Sequence, residues 1–225
     1  MIPKVIHYCW FGGKKIPKQG KRCMNSWKKF CPDYEIREWN ENNFDLSSAP
    51  QYVQEAYREK RYAFVSDYVR LYAVYQCGGL YLDTDVELLK PFDDLLNQRA
   101  YFGFCSTGFI GTGLGFGAEQ GHPILEALMD QYQSIPFVLE DGQPDLTPCP
   151  QRNESIFLRY GFKKKNEEQM IQEGVHIYPI EFFDPLDYHT KEIHITKSTH
   201  SIHWYMASWL TNKEKLKKAL SQWNK

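Results

Sequence analysis

The segment from Arg61 to Leu96, RYAFVSDYVRLYAVYQCGGLYLDTDVELLKPFDDLL, decides how the rest of the chain reads. Ala63, Phe64, Leu71, Val74 and Tyr75 recur at three- and four-residue spacing, which predicts a helix with one buried face. Gly78 and Gly79 end it, because glycine tolerates the left-handed backbone on which helices commonly stop. The apolar Leu80-Tyr81-Leu82 then predicts a short strand running into Asp83-Thr84-Asp85. Alternate side chains of an extended chain share a face, so Asp83 and Asp85 are expected to project together from the strand's end. Two carboxylates so placed repel each other unless a cation sits between them. A hard divalent ion held this way, Mg2+ or Mn2+, keeps positions open for phosphate oxygens of a nucleotide. A pair of solvated turn aspartates is the simpler alternative. Upstream, Asp67 and Arg70 lie one helical turn apart on one face, where they either pair with each other or jointly grip a polyol.

Outward from this segment the chain alternates strands and helices, the pattern of an α/β fold. Val5-Ile6-His7-Tyr8-Cys9-Trp10-Phe11 predicts a first strand, closed by Gly12-Gly13. Ligands of open α/β sheets bind beyond the carboxyl ends of strands, which puts Trp10 and Gly12 at the mouth of a site. Trp10 there either stacks on a base or packs under the sheet. Pro17 to Phe30 predicts a helix with lysines on its outer side, Tyr34 to Asn40 a second strand, and residues 51 to 60 a charged helix. Val86 to Leu89 continues as an extended segment. The glycine-rich run 100 to 117, YFGFCSTGFIGTGLGFGA, predicts strands with close backbone approach. A helix is expected over 123 to 133. The segment 134 to 150, with Pro136, Pro144, Pro148 and Pro150, is too rich in proline for one and predicts a lid, a binding loop or disorder. Another helix follows over Gln151 to Tyr160, then a charged turn from Lys163 to Glu168 and a strand over Val175 to Tyr178. His200 and His203 have no third ligand at zinc-like spacing, so each reads first as a buried, satisfied histidine.

The tail from Asn212 to Trp223 is a basic helix with Leu216, Ala219, Leu220 and Trp223 on one side. It either docks on the domain or lies on an anionic membrane surface. The expected division is a domain over 1–210 and this helix over 211–225. A chain of 225 residues with 27 basic and 28 acidic side chains has no global field for binding nucleic acid. Its six cysteines, Cys9, Cys23, Cys31, Cys77, Cys105 and Cys149, form no CxxC pair. With no secretory signal ahead of Ile2-Pro3-Lys4, reduced thiols and a cytoplasmic location are expected, at the inner face of the plasma membrane if the tail binds lipid.

The run Ser66-Asp67-x-x-Arg70, then Gly78-Gly79-x-Tyr81-x-Asp83-x-Asp85, resembles the signature of DXD-motif sugar-nucleotide glycosyltransferases. Glycosyltransferase family 32, the capsular-polysaccharide enzymes, the yeast α-1,6-mannosyltransferases and the clostridial glucosylating toxins share it. Ile2-Pro3-Lys4-Val5-Ile6-His7-x-x-Trp10-x-Gly12-Gly13 is similar to the N-terminal segment that holds the base in that family. Ile202, His203, Ser208 and Trp209 are similar to its C-terminal motif, with Ala207 in place of the usual glycine. The resemblance implies a GT-A type, Rossmann-like mixed sheet flanked by helices and a retaining transfer from a UDP-sugar, or alternatively a GDP-sugar, to a glycan or lipid-linked acceptor. It implies Asp83, Asp85 and His203 as ligands of Mn2+ or Mg2+, and Asp67 and Arg70 on the sugar hydroxyls. Val5, His7, Trp10, Gly12, Ser66, Tyr81, Ser208 and Trp209 would contact the nucleotide donor. Tyr81-Leu82-Asp83-Thr84-Asp85 also resembles the nucleophile motif of haloacid dehalogenase-type phosphatases, against which Glu87 stands where Thr or Val is wanted. A non-catalytic nucleotide-sugar binding module is the remaining alternative.

Overall fold

The computed structural model describes residues 1–187 and 190–206. The expected tail helix over 211–225 lies outside the described residues, as do Ala207, Ser208 and Trp209.

In chain order the elements are β1 (Val5–Cys9), α1 (Lys18–Phe30), β2 (Glu35–Trp39), α2 (Gln51–Arg58), α3 (Tyr62–Cys77), β3 (Gly79–Tyr81), β4 (Val86–Leu88) and β5 (Ala100–Phe104). There follow β6 (Ile110–Gly111), β7 (Phe116–Ala118), α4 (Pro123–Asp130), α5 (Cys149–Arg159), β8 (Gln169–Ile171), β9 (Val175–Tyr178), α6 (Ile180–Phe183) and β10 (Ser201–His203). The main sheet runs β2-β1-β3-β7-β5-β9-β8, with β6 paired to β5. β1 is parallel to β2 and β3, β7 is antiparallel to both of its neighbours, and β5 and β9 are parallel again. A separate antiparallel ribbon joins β10 to β4.

Period-two alternation explains the layering. In β1, Ile6 and Tyr8 join the core on one face of the sheet, with Trp27 of α1, Phe92 and Phe183 of α6. Cys9 joins the opposite core, with Tyr52 of α2, Val65 and Val69 of α3 and Phe157 of α5. β5 splits the same way, Tyr101 to one core and Ala100, Phe102 and Phe104 to the other. A sheet covered on both faces needs apolar residues in both registers, which is why these strands read as continuous apolar runs.

α3 differs from the one-faced helix that its spacing predicts. Phe64, Val65, Tyr68, Val69, Leu71, Ala73 and Val74 are buried around most of its circumference, and Asp67 and Arg70 are buried with them. Helices buried all round lie between layers, and α3 runs between the sheet and α2 and α4. Asp83 and Asp85 also depart from the expected alternation. β3 ends at Tyr81, and the pair occupies a turn in which the Val86 N–H donates to the Asp83 carbonyl at 2.9 Å. The proline-rich segment is ordered: the Glu55 carboxylate accepts the N–H groups of Phe137 and Val138 at 2.8 and 2.9 Å. Its last proline, Pro150, lies in the first turn of α5, where no helical N–H bond is lost. All six cysteines are free thiols. Among the described residues no helix is long and apolar enough to cross a membrane.

Gly79 marks the tightest point of this arrangement. Its φ is +109°, and a Cβ there would lie 2.6 Å from the Val5 carbonyl oxygen of β1. Gly79→Ala combines a disfavoured backbone with a clash against a paired strand. The variant is expected to lose about 2–3 kcal/mol of stability, read as a lower urea midpoint at unchanged m-value.

Candidate functional site

The site forms where the chain beyond the carboxyl end of β3 meets Asp67 and Arg70 of α3. Arg70, 5% exposed, extends from α3 and places Nη2 3.1 Å from Asp67 Oδ1 and 3.3 Å from Asp83 Oδ1. The Tyr81 hydroxyl donates to the same Asp83 oxygen at 2.8 Å. Asp83 is therefore held by two donors from different elements. Burial raises the Asp67 and Asp83 carboxyls above their ordinary range, and the nearby Arg70 charge opposes that shift. Burial works against the Arg70 charge, but the Asp83 carboxylate, with Tyr81 and Asp67, raises its pKa overall.

On the other side of the turn, Asp85 Oδ1 lies 3.2 Å from His203 Nε2, and the Met206 N–H donates to Oδ2 at 2.8 Å. Burial opposes the charge on His203, but Asp85 raises its pKa to about 8. Burial likewise pushes Asp85 upward, and His203 outweighs this to lower it. Asp83, Asp85 and His203 each offer a ligand atom, all within 4.8 Å of one another. His203 Nδ1 is buried and has no hydrogen-bond partner. Two carboxylates and an imidazole at this spacing fit a divalent ion.

A cavity of about 290 Å³ opens beside this cluster. Asp67, Arg70, Asp83, Cys149 and His203 contribute polar groups to its lining, and Phe64, Leu114, Leu146, Pro148 and Pro150 apolar ones. Gly113 also lines it, and a Cβ there would lie 2.4 Å from Asp83 Oδ2, so only glycine leaves that carboxylate in place. Thr112 beside it is fully buried, with Oγ1 3.4 Å from Arg70 Nη1.

The candidates named from the sequence fall into distinct groups. Asp67, Arg70, Asp83, Asp85, Tyr81 and His203 come together here. Trp10 and Gly12 stand at the carboxyl end of β1 but do not line the cavity. The Trp10 indole N–H donates to the Lys14 carbonyl. The Gly12 N–H donates to Glu41 Oε1 at 2.8 Å, and Tyr62 covers its Cα. Ser66 bonds back to the Tyr62 carbonyl at 2.9 Å within α3. His7 is fully buried: Nε2 contacts the Gly78 carbonyl at 2.9 Å, and Nδ1 accepts from the Trp39 indole at 3.0 Å. Its imidazole thus has no free nitrogen to offer a ligand, and burial lowers its pKa to about 4. Val5 pairs with Glu35 across the β1–β2 ladder. His200 is the satisfied core histidine that was expected, bonded to Asp94 and to the Ser198 carbonyl. Gly113, Thr112, Leu146 and Tyr205 were not singled out; the glycines flanking Thr112 were the available signal for the first two.

A mixed sheet flanked by helices, with two aspartates at a central strand end, is the GT-A type of glycosyltransferase fold. Residues 17–102 match the family model of the glycosyltransferase sugar-binding region containing the DXD motif. Inositol phosphoceramide mannosyltransferase 3 of Schizosaccharomyces pombe (strain 972 / ATCC 24843) is 32% identical over 131 residues, covering 55% of this chain and 35% of that protein. Inositol phosphoceramide mannosyltransferase 1 of the same organism is 31% identical over 169 residues, covering 71% of this chain and 49% of that protein. The chain thus spans no more than half the length of these relatives. Among solved structures, the PaToxG glycosyltransferase superposes with a TM-score of 0.53 at 18% identity, over 70% of this chain and 68% of that one. A glycosyltransferase involved in the glycosylation of the major capsid of PBCV-1 gives 0.50 at 12% identity, over 97% and 100%. Those two likenesses concern the fold. Over residues 17–102 the chain is similar to the DXD-motif glycosyltransferases.

Removing the charge that holds Asp67 and Asp83 together tests this geometry without any substrate. Arg70→Met leaves the buried Asp67 and the partly exposed Asp83 without their shared partner and is expected to cost about 3 kcal/mol at pH 7. Carboxyls whose pKa is raised on folding bind more protons in the native state, so their penalty shrinks as pH falls. The deficit of Arg70→Met against the parent should therefore narrow between pH 7 and pH 5 in urea unfolding. A deficit that widens over that range would contradict the assignment.

Proposed function

We propose that this protein is a metal-dependent, retaining glycosyltransferase that moves a hexose or N-acetylhexosamine from a nucleotide diphosphate-sugar to a glycan or lipid-linked acceptor. The observation that carries this reading is the Asp83-Asp85-His203 cluster at the edge of a cavity walled by Asp67 and Arg70. A divalent cation bound there would act as a Lewis acid, offsetting charge that grows on the leaving diphosphate. Arg70 and Asp67 offer a donor and an acceptor to sugar hydroxyls, and Thr112 fixes the guanidinium from behind. Tyr81 keeps one Asp83 oxygen aligned. Phe64, Leu114, Leu146 and Pro148 keep water from the reacting carbon, where it would otherwise hydrolyse the donor.

A UDP-sugar is the favoured donor and Mn2+ the favoured ion. The names of the two yeast relatives bring mannose, and with it a GDP-sugar, into the comparison, and they support a lipid-linked acceptor. A role in surface polysaccharide synthesis, at the cytoplasmic face of a membrane, belongs to the same reading. The similarity of residues 17–102 to the DXD glycosyltransferase model supports this reading over the phosphatase alternative. A binding module without turnover is the reading that the assay must separate.

The test is a panel of UDP- and GDP-sugars with Mn2+, following release of nucleotide diphosphate. Slow hydrolysis of one donor is expected, faster with acceptor present, and Asp85→Asn should reduce it by about 100-fold or more. Binding of a donor without any release would make the protein a module, and full activity in Asp85→Asn would remove the metal assignment. Product stereochemistry by NMR reads the retaining step: an inverted anomeric centre overturns it.

A further inference from the structure

Residues 201–206 touch the rest of the chain on two sides. Toward the DXD turn they enclose Asp85: the Trp204 N–H donates to its carbonyl at 3.0 Å, the Met206 N–H to Oδ2, and His203 meets Oδ1. Toward the opposite side, the Tyr205 hydroxyl donates to Asp184 Oδ2 at 2.7 Å. Asp184 follows α6 and is only 1% exposed. The same carboxylate oxygen accepts the N–H and the hydroxyl of Ser106, each at 3.0 Å, from the loop after β5. Its other oxygen is buried without a partner. No part of the proposed reaction uses this buried acid.

Tyr205 connects the two sides. Its ring centroid lies 4.2 Å from that of His203, and its φ is +50°. An aromatic residue adopts a left-handed backbone only where its surroundings determine the conformation. Here the determinants are the hydroxyl bond to Asp184 and the two neighbouring N–H bonds to Asp85. His203 itself is the last residue of a three-residue strand and has one ring nitrogen without a hydrogen-bond partner.

We propose that Asp184 is a positioning residue for the metal centre: through the Tyr205 hydroxyl it fixes the turn over 203–206 and so holds His203 at ligand distance from Asp83 and Asp85. Nothing in the sequence marks this acid, because it lies in an aromatic stretch, Phe182-Phe183-Asp184-Pro185, far from the DXD turn along the chain. Its carboxylate does not line the cavity, and it acts only through what it holds. The inference rests on reading Asp83, Asp85 and His203 as a divalent-cation site.

The experiment is an EPR titration of the full chain with Mn2+ alone, comparing wild type with Tyr205→Phe, Asp184→Ala and Asp184→Asn. Tyr205→Phe keeps the ring against His203 and removes the hydroxyl that donates to Asp184. It is expected to weaken Mn2+ binding about tenfold, the scale of a lost outer-sphere partner, while thermal unfolding stays within about 2 °C. Asp184→Ala should weaken binding at least as much, and Asp184→Asn, which retains an acceptor oxygen, should recover most of it. In donor turnover, Tyr205→Phe should need more Mn2+ but approach the wild-type kcat at saturation. Should Asp184→Ala fail to fold, Tyr205→Phe still decides the matter. Wild-type Mn2+ affinity in Tyr205→Phe overturns the positioning role while leaving the metal site intact. Absence of Mn2+ binding by the folded wild type overturns both.

Discussion

The architecture of the site depends on one guanidinium. Arg70 is buried between two carboxylates, Asp67 on its own helix and Asp83 on the turn after β3. Either carboxylate alone at this depth would be costly, and the two together would be worse, because burial disfavours charge and like charges compound it. The guanidinium offsets both costs at once. An ion group of this kind adds little net stability compared with apolar packing, but it tolerates few alternative arrangements. It therefore joins α3 to the β3–β4 turn in one geometry, and that geometry sets where the cavity and the ligand cluster lie.

Several features that look unrelated follow from it. Asp83 occupies its position only because residue 113 has no side chain, so the loop between β6 and β7 must bring a glycine to that point. Tyr81 is fully enclosed, yet its hydroxyl reaches the same carboxylate, and its ring lies 5.0 Å from the Arg70 guanidinium carbon. A strand residue that reads from sequence as ordinary core is thus part of the polar support. α3 has to be buried all round because its polar pair faces the site while its remaining faces meet α2, α4 and the sheet.

Much of this was legible along the chain where the determinants are local. The α3, Gly78-Gly79, β3 and Asp-x-Asp succession is a matter of periodicity and glycine placement within some twenty residues, and the structure keeps the order. Periodicity misjudged two points. It gave α3 a single face, since spacing records which residues are apolar and not how many neighbours the helix has. It also carried the extended alternation through Asp83 and Asp85, whereas β3 stops at Tyr81 and the pair lies in a turn closed by the Val86 N–H on the Asp83 carbonyl. His7 illustrates a different limit. The resemblance implies a place for it in a donor-binding segment, but only the neighbouring strand reveals that Trp39 occupies its second nitrogen. The short strands β8 and β10 and the helix α6 have too few residues to carry a period, so they become visible only through their partners.

The ligand cluster also draws on the far end of the chain. Met206 and Asp85 are 121 residues apart, and β10 meets β4 through only three paired positions. A ribbon that short is marginal by itself in water. Two anchors flank it. On one side His200 is buried, bonded to Asp94, and packed against Phe92 and Phe182 with ring centroids at 5.6 and 5.4 Å. On the other side Tyr205 reaches Asp184. The ribbon is therefore held at both ends by side chains that belong to the main body of the fold, and His203 lies between them. A ligand carried on a chain segment remote in sequence acquires a defined position when its neighbours on both sides are tied down. Here that requirement falls on an imidazole stacked in the core and on a single tyrosine hydroxyl.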